Sequence, residues 1–192
     1  MTVQNLLSLI LFALLEISVF TRAAVLRKKG VRVLVLGQTD KNVYLLVLSV
    51  CLVVYAAMAD TFGLPMWNAL LRPFWHSRTP GWFGLLVCFA AAAGFVLTIF
   101  SLGESFRVGI DADKPGGLIT GGVFAVSRNP VYLCLIIFFA GLFLIHKNIA
   151  VTASAILSAL VLHRQILREE RFLAARYGAE FESYRKKTRR YF

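Results

Sequence analysis

Apolar residues fall into five runs along the chain: Val3 to Leu26, Val43 to Ala59, Trp82 to Leu102, Val131 to Ile145 and Ile149 to Leu167. Charged residues gather between them. A helix needs roughly 20 residues to cross the hydrocarbon core of a bilayer. The first three runs meet that length, and the fourth is short. Only His146, Lys147 and Asn148 separate the fourth run from the fifth, a spacing that predicts a tight helical hairpin. Beyond Arg168 a helical pattern continues, with Phe172, Leu173, Phe181 and Tyr184 as its apolar positions. It breaks at Tyr177-Gly178, where glycine suits the residue just past a helix end. Glu104 to Asn129 is long for a membrane-protein loop and holds Gly109, Pro115, Gly116, Gly117, Gly121 and Gly122. The pattern predicts an all-α integral membrane protein. It has five transmembrane helices, a C-terminal helical hairpin and a cytoplasmic helical tail. All lie in one domain over residues 1–192, with the first three spans in 1–102 and the loop, hairpin and tail in 103–192.

Composition agrees. Of the 192 residues 58% are hydrophobic, against the roughly 45–50% of ordinary soluble domains. The formal net charge is nevertheless +11. The cations sit between apolar runs, which excludes a nucleic-acid-binding domain and leaves a membrane protein with basic ends. With the N-terminus outside, the inner loops and tail hold 17 Lys and Arg residues and the outer loops hold 3. That asymmetry predicts a cytoplasmic C-terminus. The N-terminal run has no basic leader and no small-x-small cleavage site, so it reads as a retained span. Cys51, Cys88 and Cys134 lie singly in apolar runs and read as small hydrophobes.

Two places carry candidate chemistry. In the stretch SRNPVYLC, residues 127–134, Pro130 suits the first turn of a helix, where a missing N–H costs nothing. The N–H groups of that turn and the Arg128 guanidinium suit an anion. A carboxylate-binding corner accounts for the arginine, the proline and the glycine-rich lead-in together; a basic anchor accounts for the first two only. In the fifth run His163, Leu167, Glu170 and Ala174 share one helix face, where the helix leaves the membrane. The plainer reading makes Glu169 and Glu170 solvated partners of Arg164, Arg168 and Arg171. A metal site from His163 with Glu169 or Glu170 has only one histidine to draw on, so no metal is expected. Glu16 sits well inside the first run, where a charge is costly; it lines the substrate path, is protonated, or pairs with a cation of another helix. AAAAG, Ala90 to Gly94, reads as a helix-packing face, and His76 and His146 as outer-surface residues.

LITGGVFAVSRNPVYL, followed by EERFLAARYGAEFESYRKK, resembles the isoprenylcysteine carboxyl methyltransferase family and, more widely, the phospholipid methyltransferases. Leu118, Gly122, Arg128, Pro130 and Tyr132 fit the first arm of the family pattern. Glu169, Glu170, Leu173, Tyr177, Gly178, Phe181 and Tyr184 fit the second. Asn129 stands where the family usually has histidine, and Phe124 where it often has tyrosine. The resemblance implies S-adenosylmethionine as methyl donor, S-adenosylhomocysteine as product, and a lipid or prenylated-cysteine acceptor entering from the bilayer. It implies a cofactor site from Gly117, Leu118, Gly122, Arg128, Asn129, Pro130, Tyr132, His163, Glu169, Glu170, Tyr177 and Gly178, with Arg128, His163 and Glu170 as catalytic candidates. Arg128 would take the methionyl carboxylate, Glu170 the ribose hydroxyls or amino group, and Tyr177 the adenine. A carboxylate acceptor needs no general base, whereas an amine acceptor would draw on Glu170 or His163. Two other readings remain: an NADPH-dependent membrane reductase of the sterol-reductase type, and a non-enzymatic scaffold or transporter subunit.

Overall fold

A computed structural model describes residues 2–31, 33, 42–107 and 116–192. The loop positions Gly109 and Pro115, and the loop cations Arg32, Lys41 and Lys114, lie outside the described residues. The described chain is helical, with no strand. Six α-helices follow in order: α1 (Val3–Lys28), α2 (Asn42–Phe62), α3 (Thr79–Ser101), α4 (Pro130–His146), α5 (Ile149–Tyr177) and α6 (Ala179–Lys187). Short 3-10 turns at Asn68–Leu71, Gly103–Ser105 and Gly122–Ala125 lie between them. Among the described residues four helices, α1, α2, α3 and α5, are long and apolar enough to cross a membrane. The apolar helix α4 has 17 residues. Helix α5 carries on past the fifth apolar run to Tyr177, so Glu169 and Glu170 stand on the same rigid element as the apolar run.

Local chemistry sets the helix ends. Thr2 caps α1 by accepting from the Asn5 N–H at 3.2 Å. Pro130 occupies the first turn of α4. Lys147 ends α4 in the left-handed region (φ +44°), and Asn148 then caps α5 by accepting from the Val151 N–H at 2.9 Å. Two residues thus reverse the chain between α4 and α5. Gly178, at φ +51°, ends α5 and lets α6 leave in a new direction.

Helices α3 and α4 pack most closely. A Cβ at Gly84 would lie 2.7 Å from the Gly141 carbonyl oxygen, and one at Gly141 would lie 2.5 Å from Cys88 Sγ. These two glycines let the backbones touch. In the AAAAG stretch Ala91 is buried while Ala90 and Ala93 are exposed, and a Cβ at Gly94 would meet Cys134 Sγ at 3.1 Å. Phe12, Phe95, Phe138, Phe139 and Leu142 fill the core between the helices. Phe83, Leu86, Phe89, Leu97 and Phe100 point outward from α3, as do Leu45 and Leu48 from α2. An apolar exterior of that kind suits a lipid environment.

His76 is exposed, but His146 is a correction: it is buried, not a surface residue. Its Nδ1 lies 2.8 Å from Asp60 Oδ2 and its Nε2 3.2 Å from Ser8 Oγ. Asn5 Nδ2 also donates to Asp60 Oδ2, at 3.0 Å. As the last residue of α4, His146 turns inward and knots α1, α2 and α4 together at the end of the bundle opposite the tail. Such grouping follows from the rule that buried polar groups find partners.

Candidate active site

The site lies at the tail end, where α5 leaves the apolar run. After Lys187 the chain turns back as a strap, residues 188–191, and runs beside the residues that precede α4. The Arg128 N–H donates to the Arg189 carbonyl at 3.0 Å, and Ser127 Oγ donates to the Arg190 carbonyl at 3.1 Å. Thr188 Oγ1 bonds the Ala125 carbonyl at 3.4 Å. The Tyr184 hydroxyl donates to the Phe124 carbonyl at 2.6 Å, and burial pushes its pKa up to about 12.

At the centre stands Glu170, its side chain 10% exposed, against Arg128 at 8%. Arg128 Nε and Nη2 reach Glu170 Oε1 at 3.2 and 3.0 Å. Asn129 Nδ2 donates to the same oxygen at 3.0 Å. Arg190 Nε and Nη2 reach the other oxygen, Oε2, at 3.1 and 2.8 Å. That pairing raises the Arg190 pKa, chiefly through its hydrogen bond to Glu170. Arg128 Nη1 donates to the Thr188 and Arg185 carbonyls as well. Two guanidinium charges therefore face one carboxylate.

Glu169, one residue earlier, points to different partners. The Tyr132 hydroxyl donates to it, and Gln165 Nε2 does so at 3.1 Å; Gln165 Oε1 in turn accepts from Asn42 Nδ2 at 2.7 Å. Neighbouring residues on a helix lie about 100° apart. In these bonds the two adjacent carboxylates engage different partners.

Arg128, Asn129, Pro130, Tyr132, Glu169, Glu170, Gly117, Leu118 and Tyr177 line one cavity of about 190 Å³. Leu102, Ser105, Phe106, Arg107, Ile119, Phe172 and Phe181 complete much of its wall. The Tyr177 hydroxyl holds the Gly116 carbonyl at 2.6 Å, and Ser105 Oγ meets the Gly117 carbonyl at 3.4 Å. These contacts fix the glycine segment at the rim. A Cβ at Gly117 would meet no protein atom within 4 Å, so a side chain there would project into open space.

Gly122, His163 and Gly178 stand apart from this lining. Gly122 (φ +61°) serves a turn and Gly178 a helix end. His163 Nδ1 lies 2.6 Å from the Tyr191 hydroxyl, with the two rings 6.2 Å apart. The strap covers the histidine although it shares a helix face with Glu170. Ser127, Thr188, Arg190 and Tyr191 escaped the sequence reading. A buried carboxylate implies a second cation nearby, but the tail offers many arginines and lysines and nothing local singles out Arg190.

The family model for phospholipid methyltransferases matches residues 79–180. The chain belongs to the phospholipid methyltransferase family. That match spans α3, α4 and α5 and takes in most of the cavity wall, while α1, α2, most of α6 with Phe181 and Tyr184, and the strap lie outside it. Two curated relatives of this family member are named for metal resistance. The cobalt-zinc-cadmium resistance protein CzcN of Cupriavidus metallidurans is 32% identical over 128 residues, 62% of this chain and 55% of that protein. The nickel-cobalt-cadmium resistance protein NccN of Alcaligenes xylosoxydans xylosoxydans is 28% identical over 83 residues, 43% of this chain and 39% of that protein. The chain thus spans about half of the first relative and less of the second. Among the described residues no group of three or more His, Cys, Asp or Glu side chains is placed to hold a metal ion.

Proposed function

We propose that the protein is an integral membrane methyltransferase that uses S-adenosylmethionine and methylates a lipid-linked acceptor, most favourably the carboxylate of a prenylated cysteine or a comparable lipid anion. The observation that carries this reading is the single cavity shared by both arms of the motif, with a doubly cationic corner at Glu170 and a second carboxylate, Glu169, beside it. In this reading five helices cross the bilayer, because the 17 residues of α4 stand at the lower limit of the roughly 17–25 that suffice. The N-terminus is outside and the tail cytoplasmic, so the methyl donor enters from the cytosol and the acceptor sideways from lipid.

The residues fit such a ligand. The Arg128 guanidinium, on the cavity wall, favours a methionyl carboxylate. Glu169 and Glu170 offer acceptors to an amino group or ribose hydroxyls. Tyr177, Phe172 and Phe181 offer a slot for a flat base, and Gly117 leaves room for it. Leu102, Phe106, Leu118 and Ile119 exclude water.

S-adenosylmethionine supplies a methyl group on a sulfonium; the acceptor oxygen bonds that carbon while the carbon–sulfur pair stays on sulfur, giving S-adenosylhomocysteine and a neutral ester. A carboxylate acceptor is already ionised at neutral pH, so the protein's task is alignment and removal of water. Asn129, which cannot act as a base, is compatible with that. His163 contributes by holding Tyr191. A phospholipid amine is the second acceptor class, favoured by the family match; its proton would pass to Glu169 or Glu170. The relatives' names point to work beside a metal-resistance system, with methylation of a membrane component as this chain's part.

Calorimetric titration of the detergent-purified protein with S-adenosylhomocysteine tests the reading. Micromolar binding is expected. No binding to a folded protein would overturn it, and binding of NADPH in its place would favour a reductase. Labelled methyl transfer to a prenylcysteine analogue against phosphatidylethanolamine then separates the two acceptor classes.

A further inference from the structure

We propose that the strap, residues 188–191, is part of the methyl-donor site and that Arg190 is its positioning residue. The inference rests on the donor-binding reading above. It goes beyond that reading because Arg190 lies outside both the family match and the cavity lining.

Glu170 is held from two sides. Arg128 and Asn129, both lining the cavity, bond Oε1. Arg190 takes Oε2 from behind with two nitrogens, at 3.1 and 2.8 Å. Bonding through both Nε and Nη2 fixes the guanidinium against that oxygen, where a lone ammonium would leave its direction free. Arg190 therefore sets the direction in which Glu170 faces the cavity and balances its charge there.

The strap that delivers Arg190 is two-faced. Thr188 and Arg190 turn inward, while Arg189 and Phe192 are exposed. Its carbonyls carry the load on the inward side. Those of residues 188, 189 and 190 accept from Arg128 or Ser127. Asn129 Nδ2 adds a longer bond to the Arg190 carbonyl at 3.4 Å. Tyr191 fastens the far end to His163 on α5. The strap thus ties the start of α4 to α5 at the level of Glu170, and Arg190 is where that tie meets the carboxylate.

The test compares wild type with Arg190→Ala, Arg190→Lys and Tyr191→Phe, with Lys187→Ala, an exposed cation of α6, as control. S-adenosylhomocysteine affinity should fall roughly ten- to hundredfold in Arg190→Ala, the loss expected for hydrogen bonds to a charged group. Arg190→Lys should recover part of it, Tyr191→Phe should lose severalfold, and Lys187→Ala should bind as wild type. In turnover, the KM for S-adenosylmethionine should rise while the KM for the acceptor stays put, a split that loss of fold would not produce. Should Arg190→Ala fail to fold, Arg190→Lys and Tyr191→Phe carry the test alone. Wild-type affinity in folded Arg190→Lys and Tyr191→Phe, or equal weakening by Lys187→Ala, overturns the proposal. Absence of binding to the wild type overturns the donor reading itself, and this inference with it.

Discussion

Asn129 donates its side-chain amide to Glu170 Oε1 across 3.0 Å, and that bond explains how an asparagine stands where histidine is usual in the family it resembles. The position needs a hydrogen-bond donor aimed at a buried carboxylate, which either side chain supplies. Asn129→His should therefore keep S-adenosylhomocysteine affinity near wild type. Asn129→Leu, which leaves Glu170 one donor short, should lower stability by about 1–3 kcal/mol and weaken binding. Thermal melts and calorimetry on the two variants decide it; equal losses in both would sink the explanation.

Gly117 lines the cavity, and a Cβ there meets nothing within 4 Å. A larger side chain would fill ligand space without striking protein. Gly117→Val should keep its melting temperature yet weaken S-adenosylhomocysteine by at least roughly tenfold, or about 1.4 kcal/mol. Undiminished affinity would mean the ligand avoids this wall.

Much of this site was legible because its two arms are short local patterns. Pro130 marks a helix start, and Glu169 and Glu170 follow on a helix whose period is readable through the apolar run. A continuous α5 then fixes where the carboxylates stand. The strap was not legible, because the Arg190–Glu170 pair closes across a helix end at Gly178, all of α6 and a reversal after Lys187. None of those turns leaves a local signal of its partner. The surroundings of His163 were hidden for the complementary reason. Helix period puts it on the Glu170 face, but only the fold shows Tyr191 lying over it. The Gly84–Gly141 contact likewise pairs residues from two helices, and sequence offered only the neighbouring alanine run.

His146 binds Asp60 and Ser8 at the far end of the bundle from the cavity. Its loss should therefore separate stability from binding. His146→Ala leaves Asp60 and Ser8 with fewer partners and should cost about 1–3 kcal/mol of stability. Distant sites are close to independent, so S-adenosylhomocysteine affinity should move by less than about twofold. A melt in matched detergent, beside calorimetry at a temperature where the variant is folded, reads both. Lost affinity in a folded His146→Ala would show that the two ends of the bundle are coupled.

Tyr184 supplies a pH test. It is buried, donates to the Phe124 carbonyl at 2.6 Å, and its pKa is pushed by burial from an ordinary 10.0 up to about 12. Between those values the unfolded chain has released the phenolic proton while the folded chain retains it. The folded state then binds more protons, so stability falls as pH rises. The contribution is whole below pH 10.0 and disappears as pH approaches about 12. One proton corresponds to about 1.4 kcal/mol per pH unit across that window. Tyr184→Phe should lose the hydrogen bond, about 1 kcal/mol at pH 8, and should also lose this part of the alkaline slope. Melting curves at pH 8, 10 and 11 for both proteins should converge as pH rises. Parallel curves would mean that the Tyr184 hydroxyl is not held in the un-ionised form by the fold, and coincident curves at pH 8 that its bond to Phe124 does not anchor α6 against the segment leading into α4.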